Sequence, residues 1–260
     1  MLYTLCGTHE ETDGNIVRIA LISDIHGNFV ALEKVLAELE QEPIDQYLCL
    51  GDVVENGPQP REVIESIRAL NCPIVMGNTD ERIAKMAADP LSQPKTKPAR
   101  QRDHWTVNQL SPTDHELICQ FRSTIQLSFS ENITLLGYHG SPRSNRELLF
   151  AYTSDEELES MFEGHRARIF VGGHTHRPMV RPFRNSVIVN PGSVGLPYPT
   201  LLSDGRERRP PSAEYAILTV DNGQISIDLR STPIDRQAFL QAFMDSGMPF
   251  AERWAAEWEA

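Results

Sequence analysis

The chain has 260 residues, 40% of them hydrophobic and 23% charged, with a formal net charge of −12. That length suits one large α/β domain or a domain with a small appendage, and the balance excludes a disordered or fibrous chain. The acidic charge argues against a broad footprint for duplex nucleic acid or an anionic membrane, yet a nucleotide remains compatible where local cations dominate a pocket.

The opening MLYTLCGTHEETDGN lacks a basic stretch followed by a long apolar run. No signal peptide is therefore expected, and the order of residues 1–15 is left open. No window approaches the ~20 apolar residues of a membrane span, which points to a cytoplasmic protein. Cys6, Cys49, Cys72 and Cys119 show no CxxC spacing. Cys49 and Cys72 sit in apolar runs that read as core strands, so buried, reduced thiols are expected.

Ile16 to Ile22 is a β-branched run suited to a buried strand. Asn28 to Glu40 has helical periodicity through Ala31, Leu32, Val35, Leu36 and Leu39, with Asn28 as N-cap. Tyr47–Leu50 reads as the next strand, Pro60 opens a helix through Leu70, and Cys72–Met76 reads as a third strand. A helix from Thr79 to Ala88 follows. This alternation predicts βαβ units around a partly parallel sheet.

The pattern breaks at Asp89–Gln101, a proline- and cation-rich stretch expected to be a mobile loop or link. His104–Leu110 and Ser111–Phe121 are expected to form a helical insert, with Ser111-Pro112 as a helix start. Strands then dominate: Ile125–Phe129, Ile133–Tyr138, Arg168–Val171, Met179–Phe183, Val187–Val189, Ala213–Val220 and Ile225–Leu229, with a helix near Asp155–Phe162. Asp221-Asn222-Gly223 is a hairpin signal. The stretch from Asp235 to Trp258 is expected to be helical, broken by Gly247 and Pro249.

Five segments at strand ends carry chemistry: Asp24-Ile25-His26, Gly51-Asp52, Gly77-Asn78-Thr79-Asp80, Tyr138-His139-Gly140 and Gly172-Gly173-His174-Thr175-His176. Each alone is weak, since a lone histidine is commonly structural and a Gly-Asp pair is commonly a turn. The DxH and HxH spacings say more, because residues i and i+2 of an extended strand point the same way. Loops at the carboxyl ends of sheet strands converge on one crevice. Seven N/O donors there would be costly without cations. Mixed imidazole and carboxylate donors without thiolate suit Mn, Fe, Ni or Zn.

The ordered set LISDIHGN, LGDVVENGPQP, MGNTD, YHGSP and VGGHTHRP, with NPGSVGLP at Asn190–Pro197, resembles the calcineurin-like metallophosphoesterase superfamily, its small bacterial and archaeal members in particular. The resemblance runs from about Ile16 to about Val220. It implies a four-layer α/β/β/α sandwich with two mixed β-sheets. Residues 16–230 would form that domain, with the insert near 101–121 and a helical tail over 231–260.

The resemblance also implies two divalent metal ions. Asp24, His26 and His176 would hold one, Asn78, His139 and His174 the other, and Asp52 would bridge them, as cations roughly 3.5–4 Å apart require. A bridging hydroxide would attack phosphorus in line with the leaving oxygen. Arg143 and Arg177 follow metal-binding motifs and are candidates to clamp a phosphate. The alternative for both is a solvated surface cation. His104 is a candidate to reach the pocket from the insert, against an ordinary surface histidine.

Two departures matter. Many relatives carry histidine where this chain has Thr79, and a threonine hydroxyl cannot serve as an acid near pH 7. Asp80 is better suited to orienting neighbours or capping the helix than to replacing that acid. The Gly51–Gly57 stretch lacks the Asp-Arg pair of protein Ser/Thr phosphatases and diadenosine tetraphosphatases, which argues against a protein phosphatase. The reading is a phosphodiesterase on small or nucleotide-like substrates. A phosphomonoesterase or nucleotide pyrophosphohydrolase is the alternative, and a catalytically silent protein-binding scaffold the alternative from another class. Nothing in the sequence fixes an oligomeric state.

Overall fold

The computed structural model describes residues 16–89, 97–201, 205 and 207–258. The 1–15 extension, Cys6 and most of the expected 89–101 loop lie outside the described residues.

Three apolar clusters define the layers. Strand β1 (Val17–Ile22) alternates across its two faces: Ile19 and Leu21 point one way, Ala20 and Ile22 the other, and all four are fully buried. Ile19 and Leu21 meet Leu48 of β2 (Gln46–Cys49), Leu127 of β3 (Ile125–Ser130), Leu135 of β4 (Ile133–Gly137) and Val171 of β5 (Ile169–Val171), between the two sheets. Ala20 and Ile22 pack outward against α1 (Phe29–Leu39), α2 (Pro60–Leu70) and α3 (Asn78–Ala88). The outer face of the second sheet packs Tyr138, Phe170 and Ile188 on Leu158 and Phe162 at α6 (Asp155–Met161). The result is the α/β/β/α sandwich.

Both sheets are mixed. The remaining strands are β6 (Met179–Phe183), β7 (Ser186–Asn190), a short pair β8 (Thr200–Leu201) and β9 (Glu207–Arg208), β10 (Ser212–Asp221) and β11 (Gln224–Pro233). One sheet runs β11-β10-β1-β2 and the other β3-β4-β5-β7-β6. β1 and β2 are parallel, as are β4, β5 and β7, so their carboxyl ends open on one side. Asn222-Gly223 turns β10 into β11 with φ of 46° and 83°, the left-handed pair that a two-residue hairpin demands.

Several local expectations change. Cys72–Met76 is not a strand. Ile74 and Val75 make single parallel bridges, to Cys49 on one side and Arg122 on the other, and Pro73 has no N–H to extend the ladder. Cys72 is half-buried and Cys119 exposed, so only Cys49 of the described cysteines is a core thiol. Helix α4 (Pro98–Gln109) begins inside the stretch expected to be a loop, because Pro98 suits the first helical turn. In α5 (Pro112–Cys119), Ser111 forms its capping box with Asp114.

Trp105 of α4 and Ile118 of α5 join the cluster that covers the first sheet. So do Phe239 and Phe243 of α7 (Arg236–Asp245), while Ala255 of α8 (Ala251–Ala255) and Trp258 seal its edge. Among the described residues no helix is long and apolar enough to cross a membrane.

Candidate metal centre

The donors gather at the carboxyl ends of β1, β2, β4 and β5 and at the start of α3. Asp24, His26 and His176 place one donor atom each within 4.8 Å of one another, as do Asp52, His139 and His174. Asp52 Oδ2 lies 3.4 Å from His139 Nε2 and 3.8 Å from His26 Nε2, so it faces both groups. Asn78 Oδ1 is 3.1 Å from His139 Nε2. All seven side chains proposed from the sequence thus meet in one place.

Their convergence does not come from strand pleating. Asp24, His26, Asp52, His174 and His176 have φ of 53°, 50°, 55°, 66° and 55°, in the left-handed region. The chain turns sharply at each, and Asp, Asn and His tolerate that conformation better than other non-glycine residues. Backbone strain of about 1–3 kcal/mol per residue collects at such sites.

Three rings are fixed by backbone carbonyls. His26 Nδ1–H donates to Glu55 O (3.0 Å), His139 Nδ1–H to Leu50 O (2.7 Å), and His176 Nδ1–H to Leu196 O. With Nδ1 holding a proton, the three rings turn Nε2 inward, the nitrogen that metal-binding histidines present. His26 Nε2 and His176 Nε2 then face each other at 3.2 Å. Asp24 Oδ1 is buried without a hydrogen-bond donor, although Asp24 Oδ2 accepts from Ser23 Oγ (2.6 Å) and His174 N (3.0 Å). Acceptors aimed at acceptors in a dry site need a cation or a proton between them. The donor set fits divalent ions.

Charge reinforces this. Burial opposes ionisation of Asp24, but His176 beside it holds its carboxyl down at about 2. Asp52 is also lowered, with His139 overcoming burial. Burial pushes the His26 imidazole down to about 4. Burial works against protonation of His139 too, yet Asp52 lifts it to about 10. Cations would have to displace that proton.

The surrounding contacts hold the loops. Asp80 is fully buried and accepts from Asp52 N (2.7 Å), Val53 N (2.9 Å) and Gly77 N (3.1 Å). Thr79 N donates to Asp52 Oδ1 at 2.9 Å, while Thr79 Oγ1 is buried without a partner. A Cβ on Gly195 would stand 1.7 Å from Ile25 O, and Gly195 N donates to Asp24 O (3.0 Å). Gly195→Ala is therefore expected to cost about 1–3 kcal/mol by overpacking and to lower metal content, checked by denaturant melts and elemental analysis.

The three outlying candidates fare differently. Arg143 Nε donates to Glu147 (2.9 Å) and Nη1 to Ser160 O (2.9 Å), so its guanidinium is engaged on its own surface. Arg177 stacks over Tyr198, with Cζ 3.7 Å from the ring centre. His104 is half-buried on α4. Unforeseen from sequence is fully buried Glu55, paired with Arg82 of α3 and with Arg102 of α4 (3.0 Å), which itself stacks on Trp254 at 4.3 Å. These partners lie 27 and 47 residues from Glu55, beyond any local pattern.

Residues 17–223 match the calcineurin-like phosphoesterase superfamily domain. The chain belongs to that superfamily. A calcineurin-like phosphoesterase is a metal-dependent hydrolase of phosphoesters, and that is the class of this protein. An uncharacterized protein of Methanocaldococcus jannaschii is 30% identical over 198 residues, covering 69% of this chain and 76% of its own. A symmetrical bis(5′-nucleosyl)-tetraphosphatase of Pectobacterium atrosepticum is 29% identical over 154 residues, 58% of this chain and 53% of that one. The match thus spans about half of that relative's length. The crystal structure of a metallophosphoesterase from Sphaerobacter thermophilus superposes with a TM-score of 0.69 at 26% identity, covering 93% of this chain and all of the other. A hypothetical protein of Pyrococcus horikoshii shares the fold, with a TM-score of 0.74 at 21% identity over 92% and 96% of the two chains.

Proposed function

We propose that this phosphoesterase is a phosphodiesterase acting on small, nucleotide-like substrates. Asp24, His26 and His176 hold one divalent ion, Asn78, His139 and His174 the other, and Asp52 is shared. Mn, Fe, Ni or Zn suits these donors. When bound, the pair supplies Lewis acidity, which activates water and takes up charge on the phosphoryl oxygens. Asp80 keeps Asp52 aimed through its backbone amides, and Thr79 steadies the same carboxylate through its N–H.

Thr79 carries the choice of substrate. Its hydroxyl is buried without a partner, while its backbone N–H donates to Asp52 Oδ1. The hydroxyl can donate a hydrogen bond but cannot protonate a departing alkoxide, a service worth about 10²–10⁴-fold. A leaving group that needs little protonation is favoured. A nucleotide pyrophosphohydrolase is the second reading, supported by the likeness to the tetraphosphatase, because a phosphate leaves without an acid. The complete donor set speaks against a silent scaffold. Described cysteines 49, 72 and 119 are free thiols, which supports a reducing cytoplasmic setting.

Steady-state kinetics with Mn²⁺ or Ni²⁺ on an unactivated alkyl monoester and on a diester with a weakly basic leaving group test the assignment. The diester is expected to turn over at least about tenfold faster. Preference for the alkyl monoester would overturn it.

A further inference from the structure

Beside the first donor group stands a ladder of flat side chains. The Arg177 guanidinium lies 3.7 Å from the Tyr198 ring centre and 5.7 Å from that of Phe150. Phe150 in turn stacks on Tyr152, with centroids 5.1 Å apart and planes within 11°. Tyr198 is 44% exposed and Tyr152 75%, so aromatic surface faces solvent at both ends. Among the described residues no carboxylate pairs with Arg177 and no hydrogen bond holds its guanidinium. A cation on this acidic chain left without a carboxylate is available for a ligand.

The ladder is tied to the metal donors at two points. Arg177 follows His176 in sequence, and Tyr198 comes two residues after Leu196, whose carbonyl accepts from His176. The loop carrying Tyr198 is stapled to the end of β1, where Ser193 Oγ donates to Asp24 O (2.7 Å) and Asn28 Nδ2 to Gly195 O (3.1 Å). The Phe150 turn is anchored separately, since Phe150 N donates to Thr153 Oγ1 (2.9 Å). These bonds fix the backbone that carries Tyr198 and Phe150.

We propose that Tyr198, Arg177, Phe150 and Tyr152 form a subsite for the nucleobase of a substrate whose phosphate lies against Asp24, His26 and His176. This rests on the phosphodiesterase reading and names its substrate class as nucleotides. Every base has a π-face, so aromatic and guanidinium planes receive it without regard to sequence. The guanidinium edge adds donors for base carbonyls or a neighbouring phosphate oxygen.

Binding of adenosine 5′-monophosphate and of ribose 5-phosphate to the Mn²⁺-loaded full chain gives a ratio that isolates the base. In the wild type adenosine 5′-monophosphate is expected to bind about tenfold or more tightly. Tyr198→Ala should cut that ratio several-fold, and Tyr198→Phe, which keeps the stacking face, should retain it. A wild-type ratio near one, or a ratio unmoved by both Tyr198→Ala and Tyr152→Ala, would overturn the subsite. The two readings separate cleanly. Base-dependent binding without hydrolysis of any diester leaves the subsite standing and removes the phosphodiesterase. Hydrolysis of diesters with no base-dependent binding does the reverse.

Discussion

Replacing Asp52 with asparagine is expected to lower turnover by more than about 10³-fold, beyond the usual cost of deleting one transition-state donor. The geometry fixes which way the new amide turns. Asp52 Oδ1 accepts from Thr79 N at 2.9 Å, and an amide oxygen will keep that bond. The amide NH₂ then takes the place of Oδ2, facing His139 and His26. An NH₂ group is no ligand for a divalent ion, so both proposed cation positions would lose their shared anion at once. Metal content should fall from two ions per chain to one or none. The backbone is not the cause, because asparagine accepts the left-handed φ of 55° as readily as aspartate. In the metal-free protein His139 loses the carboxylate that holds it protonated, so the melting temperature should fall somewhat, and a native far-UV spectrum of the variant separates lost chemistry from lost fold. Elemental analysis beside steady-state kinetics checks both halves. An Asp52→Asn protein with full turnover and two ions would refute the assignment.

The donors were legible because they lie where the strand signal stops. Ile19–Ile22 is a continuous apolar run, and Asp24 is among the first polar residues after it. The same is true of Asp52 after β2 and His139 after β4. What the sequence concealed was the conformation that joins them. The extended i, i+2 rule gives Asp24 and His26 a common direction, whereas both are in left-handed turns. His174 and His176 are an i, i+2 pair as well, yet they fall into different donor groups. Local pattern also overstated Cys72–Met76, where apolar content is high but the pairing partners are single residues on opposite sides. Thr200–Leu201 and Glu207–Arg208 gave no strand signal, because a two-residue strand has no periodicity to read. The Glu55, Arg82 and Arg102 cluster was out of reach for a different reason. Charged residues read as solvated surface unless the fold brings opposite signs together away from water, and here three separate segments do so.

Asp80 shows how a residue outside the donor set shapes it. Its carboxylate reaches three backbone amides, two on the Asp52 loop and one at Gly77. Asp80→Asn cannot satisfy them in either orientation. With the amide nitrogen at the Oδ2 position, it meets the N–H groups of Asp52 and Gly77; at the Oδ1 position it meets that of Val53. A buried donor pressed on a donor forfeits about 1–3 kcal/mol for each unsatisfied group. The expected loss is about 2–4 kcal/mol, which lowers the melting temperature by roughly 5–10 °C in a chain of this size. Asp52 then loses its seat, and metal affinity should drop by about 10–100-fold, as for other residues that orient ligands. Catalysis should recover partly at high metal concentration, since the donors themselves remain. That rescue distinguishes Asp80→Asn from Asp52→Asn, whose deficit added metal should not repair. Melting curves and metal titrations of the two variants decide the matter. If Asp80→Asn melted within a degree of the wild type and bound metal equally well, Asp80 would not be what holds Asp52 in place.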